Sequence, residues 1–311
     1  MAIEKDKYQQ LSTNVGLFLA STNVGVINTS DGLYLVEAGG SEEDGKSIIA
    51  ALAQLYPGKK IAGIFLTHAH TDHTGGAPFI LDHTQAKIYA GKITAGFLEI
   101  PQAVSIVYSG GNASREMSAK EFLMPCAVHT EFRLEEKDMT DLGDATVETI
   151  DLPGHYQGMT GFLVTDKADG KKTFFLGDGF FGIKMLKKIW IPFIMHPADF
   201  RHSIEKIEAT DADFYSPAHG ETCDRETVQS VAEHNIMITL QFEELIKKLI
   251  AGGATEIDRI LEGAANYCAL SLKKVNYYLI MTTLRSYLTS MENEGKITSA
   301  MENNKLIWSV K

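Results

Sequence analysis

Two hydrophobic patterns divide the chain. Up to about Asp224, apolar residues come in short runs broken by Gly, Pro, Asn and Asp, as in strands joined by tight turns. Beyond it they recur at helical spacing. The runs V-G-L-F-L-A from Val15, V-G-V-I-N-T from Val24 and L-Y-L-V from Leu33 predict three strands, the last two joined tightly at Ser30-Asp31-Gly32. The pentapeptide S-T-N-V-G starts at Ser12 and again at Ser21, an offset too short for a solenoid repeat, and reads as two similar strand starts. Ser41 to Tyr56 places Ile48, Ile49, Leu52 and Leu55 on one helical stripe, and Pro57-Gly58 stops it. Ile61 to Leu66 is a run suited to a buried strand, and His83 to Ala90 predicts another. Gly91 to Cys126 is weakly periodic and predicts helical pieces and a loop.

Strand signals resume at Thr146 to Leu152, G-F-L-V-T-D and K-T-F-F-L, the last two joined at Ala168-Asp169-Gly170, and end at Phe214-Tyr215. Then Val231, Ile238, Phe242, Leu245 and Leu249 form a helical stripe closed by Gly252-Gly253. Thr255 with Asp258 resembles a capping box, Ser271 a cap for a helix reaching Glu294-Gly295, and the final K-I-T-S-A-M-E-N-N-K-L-I-W-S-V a hairpin. A β-rich α/β body over residues 1–225 and a helical, winged-helix-like region over 226–311 are the expected parts.

Composition narrows the class. At 311 residues the chain fits one large α/β unit with an appendage. Hydrophobic content of 44% and charged content of 22% are those of a globular protein. No apolar run approaches the ~18–20 residues of a membrane span. The start, M-A-I-E-K-D-K-Y-Q-Q, has no apolar signal-peptide core, and Cys126, Cys223 and Cys268 make no disulfide framework, so the cytoplasm is the expected compartment. The net charge of −11 lies wholly before Ala232, because the remainder carries nine basic and nine acidic residues. An acidic body repels polyanions, which argues against nucleic acid as partner.

The chemistry begins at Thr67 to Gly76, T-H-A-H-T-D-H-T-G-G, which follows the strand run at Ile61 directly. His68, His70, Asp72 and His73 supply imidazole and carboxylate donors of the kind that hold zinc, iron or manganese. In an extended segment His68 and His70 point the same way and can grip one cation, while Asp72 and His73 reach a second. Three further strands run into Gly or Pro turns bearing a lone donor: His155 after Pro153-Gly154, Asp178 between Gly177 and Gly179, and His219 after Pro217-Ala218. His83, His129, His196, His202 and His234 lack that context and are expected to be dispensable for metal.

These motifs, in this order over residues 10–225, resemble the metallo-β-lactamase superfamily. The resemblance implies an αββα sandwich of two mixed sheets with two divalent metal ions at one edge, zinc first and iron or manganese as alternatives. It would give the first metal His68, His70 and His155, the second Asp72, His73 and His219, and make Asp178 the bridge. The bridging Asp is absent from true β-lactamases of this superfamily, and the flavodiiron branch has Glu where His70 stands. The glyoxalase II, lactonase and ribonuclease group remains, many of whose members follow Pro-Gly-His with Thr and a further His. Here those positions are Tyr156 and Met159.

The resemblance implies a hydrolase in which a metal-held hydroxide attacks a small ester, thioester or lactone, with Asp72 orienting it and passing a proton to the leaving group. A phosphodiesterase cutting single-stranded RNA is the alternative, and an iron-dependent sulfur dioxygenase a third reading. Phe180 to Met195, apolar and aromatic with lysines, is either a substrate wall or an amphipathic helix with solvated lysines. Tyr156, Lys184, Lys187 and Trp190 are the candidate substrate contacts. The C-terminal region is neutral, which favours dimerisation or capping of the site over binding nucleic acid.

Overall fold

The computed structural model describes residues 3–115, 127–189 and 191–311. Among them two mixed sheets stack face to face. The first holds β1 (Tyr8–Gln10), β2 (Val15–Phe18), β3 (Val24–Thr29), β4 (Gly32–Val36), β5 (Ile61–Leu66), β6 (Lys87–Gly91) and β7 (Phe132–Leu134) in that spatial order. Its first four strands pair antiparallel and its last four parallel. The second holds β8 (Met139–Asp141), β9 (Ala145–Asp151), β10 (Thr160–Asp166), β11 (Lys172–Gly177), β12 (Phe214–Pro217) and β13 (Cys223–Asp224), with only β11 and β12 parallel. The predicted tight turn is present: Thr29 pairs with Gly32 across it.

Both faces of the central strands are buried, which is why they read as continuous apolar runs rather than alternations. Val36, Phe65 and Tyr89 of the first sheet meet Val147, Phe162, Val164 and Phe175 of the second, with the rings of Phe65 and Phe162 edge to face at 5.2 Å. Their neighbours Leu35, Ile64, Leu163 and Phe174 point outward to helices. These helices are α1 (Glu42–Leu55), the short α2 (Thr71–Thr74), α3 (Ala77–His83), α4 (Lys92–Glu99), α5 (Gln102–Ser109), α6 (Ile183–Leu186) and α7 (Pro197–Ala209). The C-terminal region adds α8 (Val228–Ala251), α9 (Ile257–Tyr267), α10 (Lys274–Asn293) and the hairpin β14 (Ile297–Glu302) and β15 (Lys305–Val310). The whole is the αββα sandwich, with helices following it.

Several boundaries differ from expectation. The strand expected from His83 starts at Lys87, because His83 ends α3 with its ring stacked on Phe79 at 3.9 Å. Glu256 and Lys273, not Thr255 and Ser271, occupy the N-cap positions of α9 and α10, and neither cap makes a side-chain bond. Packing rather than capping starts these two helices.

One buried polar knot ties the C-terminal region to the body. Glu243 of α8, 3% exposed, takes Arg201 of α7 at 2.7 Å and also Lys296, which precedes β14. Glu294 partners both cations too. Glu243→Ala is therefore expected to destabilise the fold by about 3 kcal/mol, at the low end for breaking a buried pair because Glu294 still answers both charges. Urea unfolding of the variant measures this; a loss below ~1 kcal/mol would show the knot to be ornamental.

Candidate metal centre

The seven predicted donors come together where β5, β9, β11 and β12 end. At β5 the chain turns through Thr67 to His70, held to the second sheet by Thr160 N–H donating to Thr67 O at 3.0 Å. The single turn of α2 then carries Asp72 and His73. Close approach explains the glycines that follow: a Cβ on Gly75 would lie 2.3 Å from Gly40 O, and one on Gly76 2.2 Å from Ala38 O. Gly154, at φ +131°, lets the chain pass Phe200, whose backbone N would sit 2.3 Å from a Cβ there, and so delivers His155. On the β12 side, Asn23 donates to Pro217 O at 2.9 Å and Gly220 O at 2.7 Å, clamping the loop of His219. Asn23 belongs to the second S-T-N-V-G; in the first, Asn14 and Ser12 bond Asp166 instead.

Three ring nitrogens converge on one point. His68 Nε2 lies 3.0 Å from His70 Nδ1, which lies 3.1 Å from His155 Nε2; Asp178 Oδ2 is 3.2 Å from the last. The hydrogen-bond partners assign the tautomers. Thr67 Oγ1 donates to Glu37 Oε1 at 2.5 Å, so it accepts from His68 Nδ1–H and leaves His68 Nε2 bare. His70 Nε2 pairs with Tyr108 Oη at 2.8 Å, which keeps His70 Nδ1 turned toward His68 Nε2. Ring nitrogens gathered this closely from three histidines are the arrangement that ligands of one cation adopt.

A second set forms beside it. His219 Nε2 is 3.1 Å from Asp72 Oδ2, and Asp178 Oδ1 is 3.6 Å from both His219 Nε2 and His73 Nε2. Each of these imidazoles has its other nitrogen engaged: His73 Nδ1 on Glu37 Oε1 at 3.1 Å, His219 Nδ1 on Ser21 O at 2.7 Å. His73 Nε2, Asp72 Oδ1 and Asp178 Oδ1 are buried without a hydrogen-bond partner. Asp178 thus turns one oxygen to each set. The donor types and the orphaned atoms fit two divalent cations.

Burial and neighbours set the charges. Burial, with the nearby histidines, pushes His68 well below its ordinary value and His70 and His155 down to about 3, so all three stay neutral ligands. Burial opposes a charge on His73 and His219 too, but the carboxylates outweigh it and raise them to about 10 and about 8. Without metal, both therefore hold a proton on Nε2 at neutral pH. Cations binding there must displace about two protons per chain. Calorimetric titration with zinc in buffers of different ionisation enthalpy counts them, and a count of zero would exclude both nitrogens as ligands.

Among the described predicted substrate contacts, Tyr156 lies against the cluster, and Lys184 and Lys187 are engaged with other groups. Tyr156 is fully buried, its ring 4.7 Å from that of His70. Lys184 stands in solvent paired with Glu221, Lys187 lines a groove against α8, and Trp190 lies outside the described residues. Within Phe180 to Met195 only the single turn of α6 is helical among the described residues, so no amphipathic helix forms there. The segment does supply aromatic wall, together with Tyr108 of α5. Phe193 sits 5.4 Å from His70 and 5.6 Å from His155, Tyr108 bonds His70, and the ring of Phe181 stacks on His219 at 6.4 Å and 12°. The other five histidines lie away from the cluster: His83 on Phe79, His129 beside Glu99, His196 beside Gln157, His202 beside Glu205 and His234 on Ser230 O.

Sequence reasoning missed three contributors. Glu37 had a legible signal, since an acid closing an apolar run before Gly39-Gly40 repeats the setting of Asp178. Tyr108 had none. Asn235 of α8, 1% exposed, had none either: its side-chain amide donates to Phe181 O and accepts from Phe181 N–H, both at 2.9 Å, and holds the turn after Asp178.

Comparison with known proteins agrees with this geometry. The metallo-beta-lactamase superfamily model matches residues 18–219, and the chain belongs to that superfamily. It is accordingly an enzyme of its hydrolase class, with a divalent-metal site. A beta-lactamase domain protein from Burkholderia ambifaria superposes over 100% of this chain and 95% of its own, with a TM-score of 0.70 at 13% identity. A metallo-beta-lactamase family protein from Thermus thermophilus gives 98% and 97%, also 0.70, at 16% identity. Both likenesses concern the fold, and they include the C-terminal helices. An (R)-specific secondary-alkylsulfatase from Pseudomonas sp is 28% identical over 131 residues, 37% of this chain. That match takes in 20% of the sulfatase's length. No described helix is long and apolar enough to cross a membrane.

Proposed function

We propose that this chain is a dinuclear metallohydrolase acting on a small ester, thioester or lactone. The observation that carries the reading is the placement of Asp178, one oxygen turned to each set of donors, inside an aromatic wall. His68, His70 and His155 would hold one cation and Asp72, His73 and His219 a second, with Asp178 available to both sets. Bound divalent cations of this kind, zinc first, with iron or manganese as alternatives, lower the pKa of water to about 7 and polarise the substrate's oxygen.

The chain's own residues do the rest. Asp72, whose side chain is 31% exposed while its neighbours in the cluster are buried, carries the proton to the leaving group. Phe181, Phe193 and Tyr108 exclude water and receive an apolar acyl or alkyl group. The winged-helix-like region, residues 226–311, caps the site from behind. Thr282 Oγ1 donates to Tyr108 O at 3.5 Å, and Thr283 Oγ1 accepts from Ile194 N–H at 3.3 Å. A region with these tasks, and with ten acidic residues against nine basic ones, is poorly suited to hold RNA. Cys223 and Cys268, free and buried, suit a reducing cytoplasm.

The test is a parallel assay of zinc- and manganese-loaded protein on acyl-thioesters, lactones, a secondary alkyl sulfate and labelled single-stranded RNA, with Asp178→Ala as blank. The sulfate is included because the curated relative's name makes it a sulfate-ester hydrolase. Turnover of small esters, absent in the blank, is the expected result. RNA cleavage that vanishes in the blank would overturn the substrate class, and iron-dependent oxygen uptake the reaction class.

A further inference from the structure

A groove of about 840 Å³ lies not at the histidines but along α8. Leu186, Lys187, Tyr267 and Cys268 bound it. The inner stripe of α8, with Val231, Asn235, Phe242 and Ile246, is buried against the body, as a stabilising amphipathic helix requires. A second stripe faces out. Glu233, Met237, Leu240, Gln241, Glu244 and Lys248 follow one another at helical steps and all line the groove. Met237 and Leu240 are each 44% exposed, and Tyr267 at its edge is 65% exposed. The fold has no use for this stripe.

We infer that it is the interface of a two-fold homodimer in which two α8 helices lie antiparallel. The order of its charges points to this partner. Glu233 and Lys248 stand at opposite ends of the stripe, equally far from the Leu240–Gln241 midpoint, at about 11 Å each way for a rise of ~1.5 Å per residue. A two-fold axis at that midpoint sets Glu233 of each copy against Lys248 of the other, and Leu240 beside the other copy's Gln241. An isologous interface needs this self-complementarity, and a helix with like charges at both ends would lack it. Neither residue has an ion-pair partner among the described residues; Glu233 takes only the amide of Gln229 at 3.1 Å. Opposite charges flanking exposed apolar side chains match a polar rim around an apolar centre. The charge balance of α8's region adds little repulsion at this face, unlike the acidic body.

The experiment is sedimentation of the full chain with four variants: Leu240→Glu, Glu233→Lys, Lys248→Glu and the double exchange E233K/K248E. The wild-type is expected to be a dimer at micromolar concentration and Leu240→Glu a monomer. By symmetry each single exchange makes two like-charge contacts and should weaken the dimer ~10-fold or more, whereas the double exchange restores it. Circular dichroism melts establish that every variant folds. None of these residues belongs to the metal centre, so hydrolysis reports separately. A wild-type monomer overturns the inference. So does a dimer indifferent to Leu240→Glu, or a double exchange no better than the singles. An amphiphilic small molecule found in the groove by native mass spectrometry of a monomeric protein would assign the groove to that ligand instead.

Discussion

Asp178→Ala is expected to leave one tightly held cation where two are proposed for the wild-type, and to cut hydrolysis by ~10³-fold or more, about 4 kcal/mol of transition-state stabilisation. The reason is geometric. Asp178 Oδ2 lies 3.2 Å from His155 Nε2, while Oδ1 lies 3.6 Å from the Nε2 atoms of both His73 and His219. No other described carboxylate turns a separate oxygen to each set. Without it the second set keeps Asp72, His73 and His219, with one negative charge fewer to offset a divalent cation. The first set keeps its three neutral histidines, whose depressed pKa values leave them ready to bind, so one cation should stay. Metal content by mass spectrometry and turnover, read together, check the claim. Two cations per chain with near-wild-type turnover would refute a bridging role. Asp178→Asn separates charge from shape: it keeps the side chain's volume and should still lose the second cation.

What could be read from the residues divides by how local the cause is. H-x-H-x-D-H was legible because strand alternation and one turn of helix suffice to gather its donors. His155, Asp178 and His219 were legible only as single donors after strand runs, since glycine constraints such as that at Gly154 mark the turns. Their assembly depends on two sheets ending at one edge, which the family resemblance implied and no short-range pattern contains. Short edge strands escaped: Tyr8–Gln10, Phe132–Leu134 and Met139–Asp141 bury little and show no apolar run. The wall around the histidines was legible in part: Phe181 and Phe193 fall in the segment read as a candidate substrate wall. Tyr108 is an ordinary core aromatic until the third dimension sets it beside an imidazole. Lys184 and Lys187 read as candidate substrate contacts because they sit near Asp178 in sequence; after the turn at Gly182, Lys184 pairs with Glu221 and Lys187 lines the α8 groove.

Glu37 carries the other large expectation. It is 2% exposed and adopts φ +71°, a left-handed conformation that costs a non-glycine residue ~1 kcal/mol or more. One oxygen of its carboxylate accepts from Thr67 Oγ1–H and forms an ion pair with protonated His73, whose Nδ1 lies 3.1 Å away. Through them it sets the tautomer of His73, and through Thr67 that of His68, so one buried charge aims a nitrogen into each set of donors. Glu37→Gln keeps the shape and an acceptor oxygen but removes the charge. It should fold, lower the affinity of the second cation 10–100-fold, and drop the raised pKa of His73 in the metal-free protein. Glu37→Ala should in addition lose about 3 kcal/mol of metal-free stability, because two buried donors are left unpaired while the left-handed backbone strain persists. Glu37→Gly relieves that strain and should recover about 1 kcal/mol of the loss without recovering metal affinity. Chelator competition and thermal melts of the three variants measure the two effects apart. If the Gln variant held both cations as tightly as the wild-type, Glu37 would be a packing element alone, and the tautomers of His68 and His73 would need another cause.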